Sequence, residues 1–282
     1  MERYLASRST WPPPKPNEQS HANKALMKDA LVLFGIIYCM YYASNKITNE
    51  ITEEHTNLVI NPTQQWWSLL TAIAMVITFS ADMFLLPHPS PDEPKWQTIA
   101  IIGHSGFFTI QTLFLQTCYH VVKCYALFTG NIKLAIVCYA ISLWVNTQGA
   151  ALTLLFFKLN WYEPKWQRDI QKPMEKKYPG ISFPWLLGHV PSLPIALVDA
   201  IFVTNGLVVA AHGAEHMTVV KIAYSYGFLY LLFCKYIQWQ FDSLIYPFIK
   251  DIAGPVKCIG FVVIVGSAVS ICAYILNILM LL

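Results

Sequence analysis

The chain has 282 residues, of which 55% are hydrophobic, 14% aromatic and only 12% charged, against about 25% charged in a typical soluble domain. With a mean hydropathy of +0.44, it has too few charged side chains to cover a water-soluble globule of this size, so lipid is the expected solvent for most of it. The formal charge of +3 is small and scattered, whereas a nucleic-acid reader needs a basic patch or stripe, and that partner class is excluded.

Residues 1–25 read as a polar, extended tail, with Pro12, Pro13, Pro14 and Pro16 among scattered charges of both signs. Apolar segments follow at 26–44, 66–86, 99–122, 132–157, 185–211, 219–239 and 256–282. Six are long enough to cross a bilayer core, which takes about 20 helical residues. The first is marginal, because Lys28 and Asp29 shorten its apolar part, so 26–65 reads as a marginal span with an acidic loop and 66–282 as a six-span domain. The expected fold is all-α, a polytopic transmembrane helix bundle of six or seven spans.

Charge in the connections bears on that choice. With seven spans, one side collects the basic residues of the tail, Lys95, the 158–183 connection, Lys250 and Lys257. The other side holds Lys46, Lys123, Lys133 and Lys221 together with Glu50, Glu53 and Glu54. This asymmetry fits seven spans with the N terminus inside better than six. Trp66, Trp67, Trp96, Trp161, Trp166, Trp185 and Trp239 sit near segment ends, as an aromatic belt does. The basic 158–183 connection suits anionic lipid head groups or a plain topology signal. The seven cysteines fall almost wholly in apolar stretches without Cys-x-x-Cys spacing, which suits small buried apolar side chains better than a metal site or disulfide framework.

Ionisable and polar groups within spans are costly and mark candidate sites. Thr109, Thr112, Gln116, His120 and Lys123 recur at spacings of 3, 4, 4 and 3, one face of a helix. Interhelical hydrogen bonding accounts for such a stripe as readily as chemistry does. The fifth segment combines Pro184, Trp185, Gly188, His189, Pro191, Pro194 and Asp199. Its prolines remove helical hydrogen bonds around His189, an irregularity tolerated mainly beside a cavity. Reading both segments from the same side puts Thr109 ~16 Å and His189 ~8 Å along their helices, so contact needs tilt or a shift in register.

From about residue 66 onward the chain resembles the androgen-induced and androgen-dependent multipass membrane proteins, which hydrolyse fatty-acid esters of hydroxy fatty acids. The run Phe108-Thr109-Ile110-Gln111-Thr112-Leu113-Phe114-Leu115-Gln116-Thr117 is similar to the family's stretch around its threonine nucleophile. His189, Pro194 and Asp199 resemble its second motif, which carries the catalytic His and has Glu at the acidic position. Tyr246-Pro247-Phe248 with Ile252-Ala253-Gly254-Pro255 looks like its turn into the last span. The chain departs from the family at Ser105 and Gly106, in the shorter approach to His189, and at Leu244 before Tyr246-Pro247.

The resemblance implies an integral-membrane lipid ester hydrolase with Thr109 as nucleophile and His189 as base, acting on membrane-dissolved ester substrates without metal or organic cofactor. Asp199 is then a supporting acid, and Gln116 and Asn146 are candidate oxyanion donors. The departures and the added N-terminal extension leave a second class open: a non-catalytic subunit of a larger membrane complex that keeps the fold and binds other membrane-protein subunits. The enzyme would belong in the endoplasmic reticulum or plasma membrane, the subunit in the mitochondrial inner membrane.

Overall fold

The computed structural model describes residues 28–35, 37–38, 60–85, 107–213, 216–241, 246, 252 and 254–282. The tail at 1–25, most of the 45–65 loop and the start of the third apolar segment lie outside these residues. Within them the protein is all-α. Residues 28–35 are helical, with Asp29 buried and Leu31 and Phe34 outward.

The main helices are α1 (Pro62–Phe84), α2 (Phe108–Thr129), α3 (Ile132–Phe156), α4 (Ser182–His189), α5 (Ser192–Val198), α6 (Gly206–His212), α7 (His216–Phe241) and α8 (Gly254–Leu281). Among the described residues, five stretches are long and apolar enough to cross a membrane: Pro62–Phe84, Ile132–Trp161, Ser182–Val203, His216–Phe241 and Gly254–Leu281. The protein is thus an integral membrane protein with five candidate spans.

Local chemistry sets the helix ends. Asn61 caps α1 through Oδ1, which accepts from the Thr63 N–H at 2.9 Å, while the Gln64 side chain accepts the Asn61 N–H at 3.1 Å. Pro62 follows at the first helical position, where a missing N–H costs nothing. Gly130, with φ +68°, closes α2 in the left-handed conformation that favours glycine, and Asn131 caps α3 at once. The α2–α3 turn is consequently tight and brings the two helices together.

Helix α3 is the hub, packing against α2, α5, α6 and α8. Most of its residues are buried, as in a helix enclosed by others. Leu143, Ala150 and Ala151 meet Ala200, Val219, Val269, Ala273 and Leu276 in one core. Small residues allow close approach where no hydrophobic driving force separates lipid from side chain. Outward faces of α7 and α8 carry Leu229, Leu232, Tyr236, Val263, Ile264, Ile271 and Ile275, as suits a lipid contact.

Two sequence expectations change. The third segment, expected at 99–122, is a helix at Phe108–Thr129, beginning after Phe107, whose backbone is extended at φ −84° and ψ 136°. The part of that segment before Phe107 lies outside the described residues. This helix is too polar to count among the five apolar spans. The fifth segment, expected at 185–211, forms one candidate span at Ser182–Val203, interrupted at Val190–Pro191 and ending in a π-helical turn at Asp199–Val203, and helix resumes at Gly206.

Candidate active site

Thr109 occupies the first turn of α2, and His189 is the last residue of α4. Thr109 Oγ1 lies 3.3 Å from His189 Nε2. On the other side of the ring, His189 Nδ1 is 2.7 Å from the Trp185 carbonyl oxygen. A carbonyl can only accept, so Nδ1 carries the proton and Nε2 presents a lone pair to the threonine hydroxyl. This is the tautomer a general base needs. The backbone carbonyl orients the ring, the part a carboxylate plays in a triad.

Packing holds the ring in place. Phe156 of α3 stacks on His189 with centroids 4.1 Å apart and planes 23° apart. One turn earlier on α3, the Thr153 hydroxyl donates to the His189 carbonyl at 2.6 Å. It also approaches the Val190 carbonyl at 3.5 Å, which Pro194 has no N–H to satisfy. On the far side, a Cβ on Gly188 would stand 2.3 Å from Asp82 Oδ1, so glycine is what lets α1 close against α4. The carboxylate of Glu175, in the connection before α4, accepts from the Gly180 N–H at 2.7 Å, the Ser182 N–H at 3.1 Å and the Ser182 hydroxyl at 2.8 Å. It thereby caps the helix that carries His189.

Two tyrosines face the threonine from the other direction. Tyr230 of α7 accepts the free Phe108 N–H of α2 at 2.9 Å. Tyr246, between α7 and α8, hydrogen-bonds the Thr109 side chain and backbone and also Tyr230. Burial pushes the Tyr246 phenol up to about 12, so it is neutral near pH 7 and keeps its O–H. Tyr246 belongs to the Tyr-Pro-aromatic block recognised in the sequence, yet nothing in that block indicates that its hydroxyl reaches Thr109. Tyr230, within an apolar run, gives no sequence signal.

Thr109 and His189 open into a cleft bounded by Leu152, Phe156, Leu159, Leu231, Phe261 and Val265 among others. The walls are mainly aliphatic and aromatic, with Thr109, His189, Asn160, Tyr230 and Tyr246 among the polar groups. Such a chamber suits an acyl chain whose reactive carbonyl stops at the hydroxyl.

The other sequence candidates gather elsewhere. Asp199 is fully buried and accepts from Tyr119 at 2.9 Å, Asn146 at 2.7 Å and Thr204 at 3.2 Å. The Lys123 ammonium donates to both of its oxygens, at 2.9 and 3.0 Å. Asn146 therefore spends its amide nitrogen on Asp199, not on a group beside Thr109. Gln116 lies seven residues and ~10 Å along α2 from Thr109, its amide pressed against Gly149, where a Cβ would stand 1.8 Å from Nε2. Neither amide is brought to the threonine, whereas the Tyr246 hydroxyl reaches it.

No family model matches the chain, and neither a curated protein nor a solved structure matches it. The family resemblance therefore rests on the three sequence blocks themselves.

Proposed function

We propose that this protein is an integral-membrane hydrolase of lipid esters that uses Thr109 as nucleophile and His189 as general base. The observation that carries the reading is the 3.3 Å approach of Thr109 Oγ1 to His189 Nε2, with Nδ1 committed to the Trp185 carbonyl. An unassisted threonine hydroxyl is a weak nucleophile, and a base of fixed tautomer at hydrogen-bond reach supplies what it lacks.

In this mechanism the acyl chain lies in the apolar cleft with its ester carbonyl against Thr109. Thr109 Oγ1 attacks the carbonyl carbon as its proton passes to His189 Nε2. The developing oxyanion draws on the Tyr246 O–H, a neutral donor held at the nucleophile by its contacts with Thr109 and Tyr230. Collapse expels the alcohol, which takes the proton back from His189, and leaves an acyl-threonine. Water, deprotonated by the same His189, then releases the fatty acid and restores the threonine. The leaving alcohol of hydroxy-fatty-acid type comes from the resemblance, whereas the cleft speaks only for the acyl side.

A fluorophosphonate probe tests the reading. Labelling of the purified protein at Thr109, with turnover of a fatty-acid ester of a hydroxy fatty acid, supports it. Absence of both in well-folded protein overturns it and leaves the complex-subunit reading, in which the Thr-His pair is inherited structure. Location follows function: endoplasmic reticulum or plasma membrane for the enzyme, mitochondrial inner membrane for the subunit.

A further inference from the structure

Three helical segments face one another along a buried polar seam. From α2 come Thr109, Gln116, His120 and Lys123. From α3 come Thr153, Gly149 and Asn146. The α4–α5 segment and the π turn after it contribute His189, Ser192 and Asp199. The contacts place them level by level. Thr153 meets His189 at the dyad, Gly149 meets Gln116 in the middle, and Asn146, His120 and Lys123 converge on Asp199 at the far end. From Thr109 to Lys123 is fourteen residues of α2, or ~21 Å.

Along this seam lie polar atoms that are buried and have no protein partner: Gln116 Nε2 and Oε1, His120 Nδ1 and Nε2, Asn146 Oδ1 and Ser192 Oγ. Gln116, His120, Asn146 and Ser192 are each 1% exposed or less. The His120 ring is 3.7 Å from the nearest Asp199 oxygen, beyond a hydrogen bond. Groups of this kind are satisfied in native proteins by ordered water, each molecule bonding two to four of them.

We infer that the seam between α2, α3 and the α4–α5 segment binds a file of water molecules running from the Lys123–Asp199 pair to the Thr109–His189 dyad, and that this file supplies the water that hydrolyses the acyl-threonine. An acyl chain lying in the apolar cleft would exclude water from that side of the dyad. Entry through the seam lets the two substrates arrive from different directions. A water at the dyad end loses a proton to His189 Nε2 and its oxygen bonds to the acyl carbon. The carbon–Thr109 Oγ1 bond breaks, and the proton passes from His189 to the threonine oxygen. The delivery role rests on the hydrolase reading, whereas the water file does not.

The test has two parts. First, X-ray hydroxyl-radical footprinting of the full-length protein in nanodiscs in ¹⁸O-labelled water reads occupancy without activity. His120 should take up label at a rate at least ten-fold above Met75, which lies fully buried in a dry core. Equal protection of the two overturns the water file. Second, burst kinetics with a nitrophenyl fatty-acid ester separate acylation from deacylation. Gln116→Met and Ser192→Ala should keep the burst amplitude while the steady-state rate falls about ten-fold, with acyl-protein accumulating. Ser192→Ala removes a single oxygen and serves if Gln116→Met fails to fold. Unchanged steady-state rates with His120 labelled overturn delivery alone. Neither burst nor turnover in the unmutated protein removes the hydrolase reading and delivery with it, and leaves the footprint to decide the water file.

Discussion

His189 Nδ1 and the Trp185 carbonyl, four residues apart and joined at 2.7 Å, determine which ring nitrogen faces Thr109. The bond is internal to α4, so the helix itself selects the tautomer and no second side chain is required. It follows that substituting Trp185 leaves the tautomer in place, provided α4 remains helical.

Thr109→Ala and His189→Ala should each reduce ester turnover by about 10³-fold or more, since nucleophile and base act as one unit. Asp199→Asn should cost turnover far less than either. Initial rates on equal amounts of folded protein check this. A Thr109→Ala protein of near-normal rate would remove threonine from the mechanism.

Tyr246→Phe deletes one hydroxyl while retaining the ring that packs on Phe107 with centroids 5.8 Å apart. Loss of an oxyanion donor should lower kcat by about 10²-fold with KM nearly unchanged. Because burial holds the phenol near about 12, ionisation removes this donor only at more alkaline pH, and no decline traceable to Tyr246 should appear around neutrality. A Tyr246→Phe variant with reduced binding and normal kcat would assign the residue to the acyl pocket instead.

The buried Lys123–Asp199 pair should show the asymmetry of enclosed charges. Lys123→Met alone strands the Asp199 carboxylate and should destabilise by about 3–5 kcal/mol. The double substitution Lys123→Met with Asp199→Leu should recover much of that loss, because neither charge is then left without the other. Thermal unfolding in detergent gives both values. Equal loss in single and double variants would mean that the surrounding Tyr119, Asn146 and Thr204 contacts matter more than the charge pair.

Gly206→Ala tests helix packing away from the cleft. An added Cβ would stand 2.4 Å from the Met280 carbonyl oxygen of α8, a backbone atom that cannot swing aside. Overpacking there should cost about 1–3 kcal/mol, whereas Leu207→Ala next to it, 84% exposed, should change little. Unfolding midpoints of the two variants make the comparison.

Much of this architecture was legible in the sequence for simple reasons. Long apolar stretches leave few alternatives to membrane helices, and the 3-and-4 spacing from Thr109 to Lys123 places those residues on one face whatever their role. The prolines at 191 and 194 likewise announce a break beside His189. Less legible was the reach of α2 toward its C-terminus, since Lys123 ends the apolar run while the helix continues to Thr129. The proximity of Tyr246 and Tyr230 to Thr109 was hidden as well. It depends on how α7 and α8 lie across the end of α2, and tertiary placement leaves no trace in local spacing. Asp199 shows the opposite case, an ionisable residue in the same segment as His189 that the π-helical turn directs to Lys123.

The walls of the cleft come from two different parts of the chain. Thr109, His189 and Phe156 belong to the tightly packed α2–α4 region, while Tyr230, Tyr246 and Phe261 belong to the α7–α8 hairpin. On the hydrolase proposal, the nucleophile and base thus sit on one wall and the oxyanion donor on the other. Any parting of the hairpin wide enough to admit an acyl chain from the bilayer also draws Tyr246 away from Thr109. If the protein is the hydrolase proposed above, loading and chemistry would exclude each other in time, and an ester too bulky for the hairpin to close over it would bind without being cleaved.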